Sequence, residues 1–156
     1  MVVRPYLPHV AIALLVALLP GPCLLELPVA GPVVTPFAPV GAYGGHWGID
    51  LAVPVGTSVR AAAGGVVTFS GEIAGRSSVT IHHGGGVRTS YSYLASRAVA
   101  AGAPVTRGEI VGTSGLDHST PAVHFSLRIG DRYLDPAAAV CRPTTPEVGI
   151  RLAPAA

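Results

Sequence analysis

The chain has 156 residues, of which 20 are Gly, 15 are Pro and only 12% are charged, so it has room for one domain with short flanks, rich in turns and poor in long surface helices. Lys, Asn and Gln are absent, and the ten basic residues are all Arg, placed singly along the chain. With a formal net charge of +2 and no basic run, the composition argues against nucleic acid as a partner.

Residues 1–30 read as a signal peptide or an uncleaved N-terminal anchor helix. Met1 to His9 carries one fixed charge, Arg4; Val10 to Leu19 is an unbroken apolar run, and Pro20, Gly21 and Pro22 end it. That order is the layout of an export signal, and the run is short of the roughly 20 residues a membrane span needs. The expected location is secreted or at the cell envelope, with any membrane attachment made through this segment alone. The alternative is a buried core strand or helix. Cys23 falls in this segment and Cys141 lies far away, and neither has a C-x-x-C or Cys/His zinc spacing.

From Gly31 the texture changes to short runs rich in Val, Ile, Thr, Tyr and Phe, divided by Gly and Pro. The expected strands are Ser58–Arg60, Gly65–Ser70, Ser78–His82, Val87–Tyr93, Glu109–Thr113 and Val123–Arg128. Gly84, Gly85 and Gly86 read as a hairpin tip between the third and fourth of these. A helical turn is expected in Ala95–Ala101, and a loop over Gly115–Pro121. The phrases starting at Pro54 and Val99 echo each other, each placing a tight turn before a strand with an inward Val. Many short strands at regular spacing mean an all-β, two-layered antiparallel β-sandwich or barrel-like sheet. The core domain is expected over 31–140, and the Pro- and Ala-rich residues 141–156 as a loose tail.

Several phrases fall in a fixed order. They are His46-Trp-Gly-Ile-Asp50-Leu, Pro54-Val-Gly-Thr-Ser-Val-Arg-Ala, Val79-Thr-Ile-His-His83-Gly, Val105-Thr-Arg-Gly-Glu-Ile-Val-Gly112, Val123-His124-Phe-Ser-Leu-Arg and Tyr133-Leu-Asp-Pro136. In that order they resemble the lysostaphin/LytM-type zinc metalloendopeptidases, from about Gly41 to Pro136. The resemblance implies an antiparallel two-layered fold, the duplicated hybrid motif, and a Zn2+ ion used to cut peptide cross-links of bacterial peptidoglycan.

It also implies that His46, Asp50 and His124 are the metal ligands. Two imidazoles and a carboxylate leave a fourth tetrahedral position open, the pattern of a catalytic rather than a structural zinc site. His83 matches a position that is mainly structural in the family. The chain departs from the family where catalysis needs it most. Ala122 stands in place of a histidine two residues before the last ligand, Tyr93 stands in place of the histidine of a Y-[AS]-H-L phrase, and Ser126 replaces a glutamate. Tyr93 keeps an O–H donor but is a poor base, and His118 is a secondary candidate base. The expected partners are peptidoglycan peptide, acted on by a monomer as a zinc metalloendopeptidase, or, for a non-cleaving member, the wall itself or a wall hydrolase that it regulates.

Overall fold

The computed structural model of the protein describes residues 25–42 and 44–140. Residues 1–24, both cysteines and the tail 141–156 lie outside the described residues. Among the described residues no helix is long and apolar enough to cross a membrane.

The architecture is all-β and antiparallel, as expected, in two layers. The larger sheet has the order β1 (Val33–Thr35), β4 (Ile49–Ala52), β12 (Thr120–Ile129), β8 (Val87–Ser92), β7 (Arg76–His82), β6 (Gly65–Ile73), β10 (Pro104–Val105), and β13 (Arg132–Leu134) also pairs with β12. The smaller layer sets β11 (Ile110–Asp117) between β5 (Ser58–Arg60) and β9 (Leu94–Arg97). β11 then leaves this layer and pairs with β12 through Gly115, Leu116 and Asp117, so one strand ties the layers together. A Cβ on Gly115 would lie 2.6 Å from the Tyr93 carbonyl oxygen, which makes glycine the residue that fits where β11 changes partner. A separate ribbon pairs β2 (Ala38–Val40) with β3 (Gly44–His46).

Strand alternation decides what is buried. Ile49 and Leu51 on β4, Val123, Phe125 and Leu127 on β12, Tyr91 on β8, and Val79 and Ile81 on β7 meet Val59 and Val111 of the small layer in one core, all 2% exposed or less. The Tyr91 and Phe125 rings lie 5.5 Å apart at its centre. The triple glycine is a hairpin tip: His82 pairs with Arg88, and Gly84, Gly85 and Gly86 all have positive φ. The echoed phrases also behave alike. Gly56 and Gly102 both sit at φ +88, and the strands that follow, β5 and β10, carry the buried Val59 and Val105.

Three expectations differ from the structure. Residues 94–97 are a strand rather than a helical turn, because β11 needs a second partner and Ser96 and Arg97 supply it. The stretch 115–121 is a hairpin rather than a loop: Asp117 pairs with Thr120, and the two turn residues His118 (φ +45) and Ser119 (φ +76) take the backbone of a type I′ turn. The core also reaches back across residue 30, since Leu25 and Val29 are buried and Glu26 N–H donates to the Ala62 carbonyl. At the other end a one-turn helix α1 (Pro136–Ala139) is capped by Asp135 and starts on Pro136, and a bridge joins Leu25 to Val140.

Candidate metal centre

The alternation that sends Ile49, Leu51, Val123 and Phe125 inward places Asp50 and His124 on the opposite face of the large sheet. β4 and β12 are in register, with His124 directly across from Asp50. His46 arrives from the end of β3, and the link Trp47-Gly48 carries the chain into β4. That link needs Gly48: a Cβ there would lie 2.6 Å from the Phe125 carbonyl oxygen and 2.7 Å from His124 Nε2.

The three side chains predicted as ligands converge. His124 Nδ1 is 2.8 Å from Asp50 Oδ1, His46 Nε2 is 3.0 Å from the same oxygen, and the two ring nitrogens are 3.1 Å apart. The rings stand edge to face with centroids 4.8 Å apart. Asp50 is nearly enclosed, at 7% side-chain exposure, whereas His46 and His124 keep 23% and 20%, so one side of the cluster is open to solvent. Burial pushes the Asp50 carboxyl up, but hydrogen bonds with His124 and Thr35 and the charges of His46 and His124 outweigh it and hold the group below its ordinary value.

With both imidazoles neutral, protons alone do not satisfy this cluster. His46 Nδ1 lies 2.8 Å from the Pro36 carbonyl oxygen, which can only accept, so Nδ1 carries a hydrogen, and in the neutral ring Nε2 turns a lone pair to the cluster. A proton on His124 Nδ1 serves its contact with Asp50 and leaves His46 Nε2 facing a carboxylate oxygen, lone pair to lone pair. A divalent cation satisfies all three at once. Zinc bonds of about 2.0–2.1 Å in a tetrahedron set ligand atoms about 3.3 Å apart, close to the observed separations. The Pro36 carbonyl is the kind of outer partner that fixes a metal-binding imidazole. The donor set therefore fits zinc.

The other predicted residues lie beside the cluster. Tyr93 follows β8 at φ +63, and its ring is 6.2 Å from that of His124. Burial foremost and then the charge of Asp117 raise its phenol pKa, with the Asp117 hydrogen bond and the Asp50 charge adding to this and Arg76 opposing it. His118, at the exposed hairpin tip, has both nitrogens engaged: Nδ1 with Asp117 Oδ1 at 2.5 Å and Nε2 with Arg76 Nη2 at 2.7 Å. The Arg76 guanidinium also stacks over the Tyr93 ring at 5.1 Å. Ala122 shares the face of His124 two residues earlier and is buried; its methyl group offers no proton chemistry. His83 is remote, bonded to the Gly64 carbonyl and to Thr89, which agrees with a structural position.

Sequence reasoning missed Arg76, the Asp117 link to Tyr93 and the Pro36 carbonyl. Arg76 and His118 are 42 positions apart and meet only because a hairpin tip folds back beside β7, so no local pattern announced them.

The model of peptidase family M23 matches residues 44–136, more than half of the chain. The DD-carboxypeptidase/endopeptidase Mpg of Neisseria meningitidis serogroup B is 42% identical over 102 residues, which cover 64% of this chain and 23% of Mpg. Among solved structures, Helicobacter pylori Csd3 aligns with a TM-score of 0.69 and 29% identity, over 76% of this chain and 33% of Csd3. The catalytic domain of the antimicrobial peptidase lysostaphin from Staphylococcus simulans aligns with a TM-score of 0.58 and 27% identity, over 69% of this chain and 88% of that domain. The match thus spans about a quarter of the length of Mpg.

Proposed function

The chain belongs to peptidase family M23, and from that membership we propose that its core domain binds one zinc ion through His46, Asp50 and His124 and acts on peptide cross-links of bacterial peptidoglycan. The observation that carries this reading is the convergence of three lone-pair atoms within 3.1 Å of one another on an open sheet face. We place the protein outside the cytoplasm, where that substrate lies; the apolar run Val10–Leu19 supports this.

Bound there, zinc would supply Lewis acidity toward a peptide carbonyl and toward water. The chain's own groups do the rest. Pro36 holds the His46 ring in one tautomer, and the in-register pairing of β4 and β12 holds Asp50 against His124. Tyr93 keeps its proton at neutral pH, since its pKa is raised, and once its O–H turns from Asp117 it is a donor for an oxygen on which negative charge develops. Asp117 positions both Tyr93 and His118. His118 serves as a base only when Arg76 releases Nε2. With Ala122 and Tyr93 at the family's histidine positions, loss of positioned acid–base help costs about 10²–10⁴ in rate, so cleavage is slow.

The same two positions favour a second reading, a member that holds wall peptide or a partner hydrolase without cutting. Two measurements decide. Metal analysis of purified protein is expected to find about one zinc per chain, with His124→Ala depleted; wild type and variant equally empty would end the zinc proposal. Incubation of zinc-loaded protein with purified peptidoglycan is expected to free amines slowly. Release no greater than in a chelated control leaves the binding reading.

A further inference from the structure

The face of the large sheet that carries the metal cluster continues away from it in three cross-strand rows, two residues apart along each strand. The first row is Ser78, Ser92, His124 and Asp50 across β7, β8, β12 and β4. The second is Thr80, Ser90 and Ser126, and the third is His82, Arg88, Arg128 and Tyr133. Hydroxyls dominate the middle: Ser78 Oγ donates to Ser92 Oγ at 2.9 Å, and Thr80 and Ser90 share a hydrogen bond of 2.8 Å. A groove of about 430 Å³ opens over this face, lined by Phe69, Thr80, Arg88, Ser90, Ser126 and Arg128.

The third row is electrostatically odd. Arg88 and Arg128 are directly opposite partners on neighbouring strands, and like charges so placed repel and destabilise the pair. Among the described residues neither guanidinium has a carboxylate within ion-pair distance. Both are nevertheless held in place. Arg88 donates to the Gly130 carbonyl at 3.2 Å, and Arg128 stacks on the Tyr133 ring at 5.5 Å. Tyr133 in turn packs on Trp47, next to the ligand His46, with centroids 5.5 Å apart, so an aromatic wall runs from the metal cluster to the arginine row. Two oriented guanidinium groups in a hydroxyl-floored groove, lacking a counter-charge, form a site for a carboxylate.

We propose that Arg88 and Arg128 form a subsite for a carboxylate of an extended peptide whose backbone reaches the His46–Asp50–His124 cluster. Arg128 lies four positions along the strand from His124, about 13 Å at about 3.3 Å per residue. The anionic group therefore lies three to four residues of extended chain from the bond presented to the metal. This deepens the proposed function, since it rests on reading the cluster as the centre at which a wall peptide is held.

Calorimetric titration of the full chain with N-acetyl-tetra-alanine as the free acid and as the C-terminal amide tests it, in the presence of zinc and again with chelator. Wild type is expected to prefer the acid by about tenfold to hundredfold, the worth of hydrogen bonds to a charged group. The Arg88→Gln/Arg128→Gln double variant, its fold checked by circular dichroism, is expected to bind acid and amide alike. Equal or absent binding of the two peptides by wild type, or an acid preference kept by the double variant, overturns the subsite. Inorganic phosphate competing as well as the peptide acid also overturns it, because the groove would then read any small anion. An acid preference that survives chelation in a protein taking up no zinc upholds the subsite while the metal reading falls; zinc uptake with no acid preference does the reverse.

Discussion

Tyr93 sits at φ +63, a left-handed backbone that costs a bulky side chain about 1–3 kcal/mol and that histidine enters more readily. Substitution to His is therefore expected to leave the melting temperature unchanged or slightly raised. Together with Ala122→His it supplies the two imidazoles that the family pattern places beside the ligands. The double variant is expected to free amines from peptidoglycan about 10²–10⁴ faster than wild type, measured with zinc present. Tyr93→Phe runs the other way: if its O–H stabilises developing charge, cleavage falls about 10²–10³-fold with zinc content unchanged. A Phe variant as active as wild type would remove Tyr93 from the chemistry.

At the scale of elements, the ligands depend on one short link. Gly48→Ala would press a methyl group onto the Phe125 carbonyl and the His124 ring, and the carbonyl belongs to β12 and cannot rotate away. The variant is expected to lose about 10–100-fold in zinc affinity in a competition titration, with a stability loss of about 1–3 kcal/mol. Unchanged zinc affinity would mean that β3 shifts freely and does not aim His46. Which elements were legible in the sequence follows from what holds them. β6, β7, β8 and β12 alternate β-branched and aromatic residues with polar ones between clear glycine turns, so residue preference and pairing agree. β1, β2, β3 and β13 are only three residues long, and the last three carry Pro, Gly or Arg; they are strands because a neighbour pairs with them, and only the folded chain supplies that neighbour. The three residues of the cluster were legible because His46 and Asp50 share one phrase of the resemblance and His124 sits in another. The arginine row was not, because Arg88 and Arg128 become neighbours only through the β8–β12 register.

For the whole molecule, a buried polar chain ties the core to the loops around β6. The Ala62 N–H donates to Tyr91 Oη at 2.8 Å, Tyr91 pairs with Thr89 at 2.9 Å, Thr89 with His83 Nε2 at 2.8 Å, and His83 Nδ1 with the Gly64 carbonyl at 2.9 Å. Every hydrogen finds an acceptor when His83 is neutral with its proton on Nδ1. Burial pushes the Tyr91 phenol up to about 12, so it stays a donor. Burial also lowers the His83 pKa, with the Gly64 hydrogen bond opposing and the His82 charge adding to the shift. The unfolded chain thus takes a proton on this residue at higher pH than the folded one does. The stability His83 contributes is present above about pH 6.5 and is lost as pH falls below that value toward the lower folded pKa. Urea midpoints are expected to drop between pH 7.5 and 5.5 by more in wild type than in His83→Gln; parallel drops would show that other groups set the acid limit.

The turn at His118 and Ser119 divides the three proposed ligands unequally. A single backbone cut at this exposed tip leaves His46 and Asp50 on one fragment and His124 on the other, while β12 stays zipped between β4 and β8. If the cluster holds zinc as proposed, the two pieces would then be clasped by a shared ion, so their cohesion should rise with added zinc and fail under a chelator, turning a peptidase scaffold into a metal-gated latch.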